Sequence, residues 1–224
     1  IGGATLNDAV FIPPIHEEVP ELMSDLVKFL HNADLKVPHL ARIAVAHYQF
    51  ETIHPFLDGN GRMGRLLITL YLVSSGVLER PLLYLSDFFH RHRNLYFDNL
   101  MLVREKNDLA QWLKFFLTAI ADTAEKSIST LNDILKLKSS FERQLYPALG
   151  KRLKTGQTLF AKLFTTPVVN ARNVQKMADL SPKAANDLIA TFVELGVLSE
   201  TTGYQRNRIF TFKAYLDLFN KRTR

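Results

Sequence analysis

Between residues 15 and 147 apolar side chains return at helical spacing with few interruptions. In "HEEVPELMSDLVKFLHN", Val19, Leu22, Met23, Leu26, Phe29 and Leu30 share one face of a 3.6-residue helix. Pro20 falls in its first turn, where a missing N–H is no loss. "VPHLARIAVAHYQFETI" makes a second helix, which Pro55 stops. "GRMGRLLITLYLVSSG" reads as a third, buried helix ending near Gly76. "PLLYLSDFFHRHRNLYFDNLMLVRE" and "DLAQWLKFFLTAIADTAEKSISTLNDILKL" continue the pattern, with Asp108 placed to cap the latter. A chain so patterned has to bury helix against helix, so the expected class is mainly α.

Both ends depart from this pattern. Residues 1–14 read as extended or turn structure, with the apolar "DAVFIPP" between Gly2–Gly3 and Pro13–Pro14. Pro147 and Gly150 mark a boundary before the basic "KRLKTGQ", giving expected domains of 1–150 and 151–224. Beyond it lie three short helices at 157–164, 171–179 and 182–195, the last started by Ser181-Pro182. "GVLSETTGYQRNRIFTFKAYL" then reads as two strands joined around Gly203. Three helices and a hairpin are the layout of a winged helix-turn-helix.

Charge divides along the same line. Residues 150–224 hold 13 Lys and Arg against 5 Asp and Glu, while residues 1–149 hold 15 against 17. Two modules with different partners are expected. "SPKAANDLIATFVELGVL" is the expected recognition helix and "TTGYQRNRIF", with Arg206 and Arg208, the wing. This layout points to contact with DNA phosphates, or equally to a protein partner, since Lys183 and Asn186 stand beside Asp187 and Glu194.

No stretch approaches the ~20 apolar residues that span a bilayer. With no cysteine, a disulfide framework and cysteine-based zinc or redox chemistry are excluded, which fits a cytoplasmic protein. The opening "IGGATLND" has neither Met nor a signal-peptide pattern, so the chain is expected to begin inside a longer protein.

The stretch "ETIHPFLDGNGRMGRLL", residues 51–67, is polar at its centre yet runs straight into an apolar helix. Pro55 ends one helix and the next begins near Gly61 or Arg62. The loop therefore lies at a helix N-terminus, where unpaired N–H groups and the helix dipole favour an anion. Gly59 and Gly61 permit backbone conformations in which successive N–H groups form a nest for phosphate oxygens. Arg62 and Arg65, three apart, fall on one helix face and can reach one anion. Asp58 repels phosphate but suits Mg²⁺, which takes one or two carboxylates beside phosphate oxygens. His54, with an ordinary pKa of ~6.5, suits a general base. Taken singly, the histidine reads as a helix cap, D-G-N-G as a plain turn and the arginines as a solvated face. Together, on a helix where unpaired burial is costly, they read as a nucleotide-phosphate site.

"HPFLDGNGRMGR" fits the Fic-family signature H-P-F-x-D-G-N-G-R-x-x-R at every specified position, and the chain resembles that family over roughly residues 1–150. The resemblance implies a Fic-type helical bundle with a short β-hairpin flap, followed here by the winged helix. It also implies an adenylyltransferase that moves AMP from ATP to a Ser, Thr or Tyr hydroxyl of a target protein. His54 would deprotonate the hydroxyl, and Asp58 would hold Mg²⁺ on the α- and β-phosphates. Gly59, Asn60 and Gly61 would cradle the phosphates, Arg62 would neutralise the leaving pyrophosphate, and Arg65 would complete the clamp. Tyr96 and Phe97 match a paired-aromatic position of the adenine pocket, with core packing as the alternative for either ring. Residues 8–14 resemble the flap along which a target segment docks as an added strand. The inhibitory pattern S/T-x-x-x-E-G/N of many relatives is absent from residues 1–224.

Three other readings stay open. The same site can remove AMP or pass on another phosphate-containing group. His47, Glu51, His54 and Asp58 have spacings that can gather round the metal of a hydrolase, although His47 also reads as a satisfied helix residue. The N-terminal module can instead sense nucleotide for a DNA-binding regulator.

Overall fold

The computed structural model describes residues 1–2 and 6–220. Gly3, one of the expected turn glycines, lies outside them. The chain forms two compact units, 1–127 and 128–224.

The first unit is helical. It comprises α1 (Val19–His31), α2 (His39–Ile53), α3 (Asn60–Ser74), α4 (Ser86–Arg91), α5 (Arg93–Lys106) and the first part of α6 (Leu109–Leu149). Breaks at 32–38, 54–59, 75–85 and 107–108 divide what the sequence reads as almost continuous helix. Asp108 caps α6 as expected, accepting from the Gln111 N–H at 3.0 Å. Residues 81–85, expected to be helical, are not, although Leu83 and Leu85 are buried there.

Helix α2 is the axis of this unit. It buries Ile43, Ala44, Ala46, Phe50 and Ile53, and also the polar Arg42, His47 and Glu51. Around it pack Ile68 and Leu72 of α3, Phe88 and Phe89 of α4, Tyr96 and Leu100 of α5, and Trp112 and Phe116 of α6. Each such large side chain removed from water contributes roughly 1.5–3 kcal/mol. Two polar ties fix α2 in place. The Trp112 indole donates to the Ala44 carbonyl at 2.9 Å. The Arg42 guanidinium donates to the carbonyls of Leu30, Asn32 and Leu35, closing the end of α1.

The expected hairpin flap is not a strand pair. Among the described residues of 1–14 there is a 3₁₀ turn at Leu6–Asp8 and no β-strand. Backbone bonds still tie the two ends of this segment: Val10 and Phe11 donate to the Ile1 carbonyl, and the Ile1 nitrogen donates to the Phe11 carbonyl at 2.7 Å. Pro13 and Pro14 follow at once, and lacking N–H groups they cannot extend a ladder.

The second unit holds the rest of α6, then α7 (Leu153–Leu163), β1 (Val168–Asn170), α8 (Ala171–Ala178), α9 (Pro182–Glu194), β2 (Ser199–Glu200), β3 (Ile209–Thr211) and α10 (Lys213–Asn220). The division between units falls inside α6, while Pro147 and Gly150 mark the end of that helix. The sheet runs β1-β3-β2 and is antiparallel throughout, with Val169 opposite Phe210 and Ser199 opposite Thr211. Its core gathers Leu159, Phe160, Val169, Ile189, Phe192, Phe210 and Phe212. Asn170 and Asn173 cap α8 reciprocally. Ser181 caps α9, with Pro182 at its first position, as the sequence implies. Two elements differ from the sequence reading: β1 is additional, and the chain after Phe212 is helix where strand was expected. No helix among the described residues is long and apolar enough to cross a membrane.

Candidate active site

Helix α2 ends at His54, whose backbone is left-handed (φ 52, ψ 56) and whose N–H closes on the Phe50 carbonyl at 2.9 Å. Pro55, next in the chain, prevents another helical turn. The ring is half-buried and lines a cavity of about 340 Å³ together with Phe11, Glu51, Arg93, Phe97 and Arg104. Nδ1 is buried. Burial lowers the His54 pKa, the Glu51 carbonyl opposes this, and the positive charge of Arg104 lowers it further. The ring is therefore neutral at neutral pH, the form a proton acceptor requires.

The loop from 54 to 59 is held from within. Asn60, 2% exposed, accepts the Phe56 N–H at 2.9 Å through Oδ1 and donates through Nδ2 to the Phe56 carbonyl at 2.5 Å. Its side chain thus shapes the loop, and what Asn60 offers a phosphate is its backbone N–H. Gly59 begins the turn into α3 with φ 86, a conformation that resists any side chain. Helix α3 starts at Asn60, slightly earlier than the sequence indicates, so the N–H groups of Asn60, Gly61 and Arg62 have no intrahelical acceptor. Asp58 is almost fully exposed; Oδ1 accepts the Gly59 N–H at 2.6 Å and Oδ2 pairs with Arg62 at 3.2 Å.

Both arginines fold back toward the N-terminus of α3, the direction helical side chains take. A methyl group on Gly59 would stand 3.4 Å from the Arg62 Nη2, and one on Gly61 would stand 3.1 Å from the Arg65 Nη1. Gly61 therefore gives room to the Arg65 guanidinium, a use the sequence does not reveal, while Gly59 is required by its backbone conformation. Arg65 lines a second cavity, of about 510 Å³, with Phe89, His90, Arg93, Tyr96 and Phe97. A third, of about 280 Å³, is lined by Arg62, Arg65, Thr69, Tyr84 and Ser86. Arg93 and Phe97 belong to both the His54 and the Arg65 cavities.

The aromatic pair is divided. Tyr96 is a core residue, 7% exposed, with its hydroxyl 3.0 Å from Nε2 of His47 and an edge on the Arg65 cavity. Phe97 is 45% exposed beneath the Arg93 guanidinium. Arg93 and Arg104 are site residues that motif reading misses, because they lie on α5, far along the chain. Arg104 donates to the Glu51 carbonyl and the Thr52 hydroxyl, both at 3.4 Å, and lies 3.6 Å from the Phe11 ring centroid. It thereby holds the N-terminal segment over the His54 cavity.

The hydrolase reading of His47, Glu51, His54 and Asp58 is overturned. His47 is fully buried, stacked against Phe89 and Trp112, and burial pushes its pKa down to about 3, while Asp58 points into solvent. Among the described residues no three His, Cys, Asp or Glu side chains gather to hold a metal. Burial raises the Glu51 pKa, against the pull of Arg65, Arg104 and the Tyr96 hydroxyl.

The chain is similar to several known proteins. A crystal structure of a Fic family protein from Desulfovibrio desulfuricans G20 shares the fold, with TM-score 0.52 and 24% identity over 95% of this chain and 59% of that one. The chain is 42% identical over 67 residues to protein adenylyltransferase fic-1 of Caenorhabditis elegans, covering 30% of this chain and 13% of the relative. It is 41% identical over 71 residues to a probable protein adenylyltransferase of Aquifex aeolicus, covering 32% and 22%. It is 30% identical over 163 residues to protein adenylyltransferase Fic of Drosophila yakuba, covering 70% and 30%. The chain thus spans less than a third of the length of these curated relatives. Residues 4–72, which hold His54, Asp58 and both arginines, match the Fic/DOC family.

Proposed function

We propose that this chain transfers AMP from ATP to a Ser, Thr or Tyr hydroxyl of a target protein. The observation that carries the reading is a neutral, half-buried His54 opening on a cavity one loop away from the N-terminus of α3, where Arg62 and Arg65 fold over Gly59 and Gly61. The relatives named as protein adenylyltransferases support the same chemistry.

With Nδ1 buried, Nε2 of His54 takes the proton of the acceptor hydroxyl. The acceptor oxygen attacks the α-phosphorus, a P–O bond forms, and the bond from that phosphorus to the β-bridging oxygen breaks, releasing pyrophosphate. The N–H groups of Asn60, Gly61 and Arg62 face the phosphates, and the guanidinium groups of Arg62 and Arg65 balance charge on the leaving group. Phe97, and Tyr96 at its edge, form the adenine side. Asp58 fits Mg²⁺: it is one exposed carboxylate beside a phosphate-ready helix end, the sparse protein ligation this ion takes. Bound there, the ion would neutralise phosphate charge. The target segment lies along residues 8–14, where Val10 and Ile12 are exposed.

The second unit supports a further part of the reading, a winged helix over 151–224. The order α7, β1, α8, α9, β2, β3 and the β1-β3-β2 sheet suit it. Helix α9 would be the recognition helix and the segment around 201–208 the wing, with Lys183, Arg206 and Arg208 exposed toward DNA phosphates. Asp187 and Glu194 are exposed on the same helix. Salt-dependent binding to duplex DNA tests this part separately.

Transfer is tested with Mg²⁺, a cell extract as acceptor source, and ATP labelled at the α- or γ-phosphate, alongside His54→Ala. Protein-bound label from the α position alone, lost in the variant, is the expected result. Label from the γ position alone would show phosphoryl transfer instead.

A further inference from the structure

Helices α2 and α3 cross where Glu51 meets Gly64. Glu51 lies one turn before His54 on α2, and Gly64 lies between Arg62 and Arg65 on α3. A methyl group on Gly64 would stand 2.4 Å from Oε1 of Glu51, and 3.0 and 3.1 Å from Cε1 and Nδ1 of His47. A side chain at residue 64 would force the Glu51 carboxyl to move, and the fully buried His47 ring beside it leaves little room for that. The Tyr96 hydroxyl pulls on this carboxyl group, but Oε1 itself is buried, has no partner within hydrogen-bond distance, and stands 4.0 Å from Nε2 of His47. An unpaired buried oxygen costs free energy, so its position calls for a compensating role.

That role follows from what the crossing joins. His54 is carried by one helix and both arginines by the other, and the contact point is at most one turn from all three. We propose that Glu51 is a positioning residue: seated against Gly64, its side chain sets the crossing of α2 and α3, and with it the spacing between His54 and the arginine pair. The proposal rests on the reading that these three residues act together on ATP. Glu51 itself touches no reacting atom. Its neighbours hold it from the other sides, His47 being locked between Phe89 and Trp112 and bonded to Tyr96. Arg104 anchors the Glu51 carbonyl from α5.

The test is a double-mutant cycle of Glu51→Ala and Gly64→Ala, with Glu51→Gln as the conservative control. It is read as protein-bound label from α-labelled ATP and, separately, as melting temperature. A displacement of about 1 Å costs on the order of 100-fold in turnover, so Gly64→Ala should lower kcat by about that factor while KM for ATP changes less than ~3-fold. Glu51→Ala removes the carboxyl seated against Gly64 and should itself lower kcat by at least ~10-fold. In the Gly64→Ala background, where that seat is already disturbed, it should cost less than ~3-fold further, while loss of the oxygen at 2.4 Å recovers part of the lost melting temperature. Glu51→Gln, of the same shape, should stay within ~3-fold of the parent. A double variant whose kcat loss is the product of the two single losses overturns the positioning role, and so does Gly64→Ala or Glu51→Ala at parental kcat. If the parent protein transfers no label, the transfer reading fails by itself. The melting-temperature cycle then decides the lock, with recovery upholding it and strict additivity overturning it.

Discussion

Asn60 and Phe56 hold one another twice, the Asn60 amide accepting from the Phe56 N–H at 2.9 Å and donating to the Phe56 carbonyl at 2.5 Å. This pair closes the loop between His54 and α3 with no outside help. Asn60→Ala leaves the partly buried N–H and C=O of Phe56 without their partner, at up to roughly 1–3 kcal/mol for such a group. The expected result is a lower melting temperature and a fall in transfer of at least ~10-fold. Asn60→Asp keeps the acceptor and loses the donor, and should fall between the parent and the alanine variant. Equal activity in all three would show that the loop is held by other means.

Asp58 and Arg62 make the opposite case, an ion pair in which both partners are largely exposed. Exposed pairs add little to stability. Asp58→Ala should therefore melt within about 2 °C of the parent. If Asp58 holds Mg²⁺, the same variant should lose transfer by at least ~100-fold and need far more Mg²⁺ for what remains. A Mg²⁺ titration of both proteins checks this. An unchanged Mg²⁺ requirement would place the ion elsewhere.

What could be read in advance depended on how local the signal was. The loop from His54 to Arg65 is one contiguous motif, and Pro55 and Gly59 mark its turns, so its position was legible before any fold was known. The helices of the first unit declared themselves by apolar spacing. Tyr96 and Phe97 could not be told apart, because adjacent residues on a helix face different ways and only the packing of α5 decides which is buried. Glu51 against Gly64 is a contact between helices, and Arg104 reaches the site from another. No local pattern reveals either. Strand β1 is three residues long and had too little alternation to be seen.

The acid limb of transfer reports His54. Its pKa is lowered, so on acidification the ring stays neutral to a pH below the ordinary 6.5. Activity should hold through pH 6.5 and decline at lower pH. Arg104 contributes to the lowering, so Arg104→Gln should move the acid limb toward higher pH. A pH–rate profile of kcat/KM for both proteins checks the direction. An acid limb that does not move, or moves lower, would remove Arg104 as a cause.

His47 gives the first unit a separate dependence on pH. Its pKa is about 3 in the folded chain against 6.5 in the unfolded one, because burial among Phe89, Tyr96 and Trp112 disfavours the charged ring. Between those values the unfolded chain binds the extra proton, so stability is whole above pH 6.5 and falls as the pH drops toward 3. The slope from this one group reaches ~1.4 kcal/mol per pH unit. His47→Gln carries no such proton and should flatten the acid side of the stability curve, even if it lowers stability at pH 7 through lost packing. Urea unfolding at pH 7.5, 6.0 and 5.0 measures it. The informative quantity is the change between pH values in each protein, since a loss common to all three reports packing and only the slope reports the buried ring.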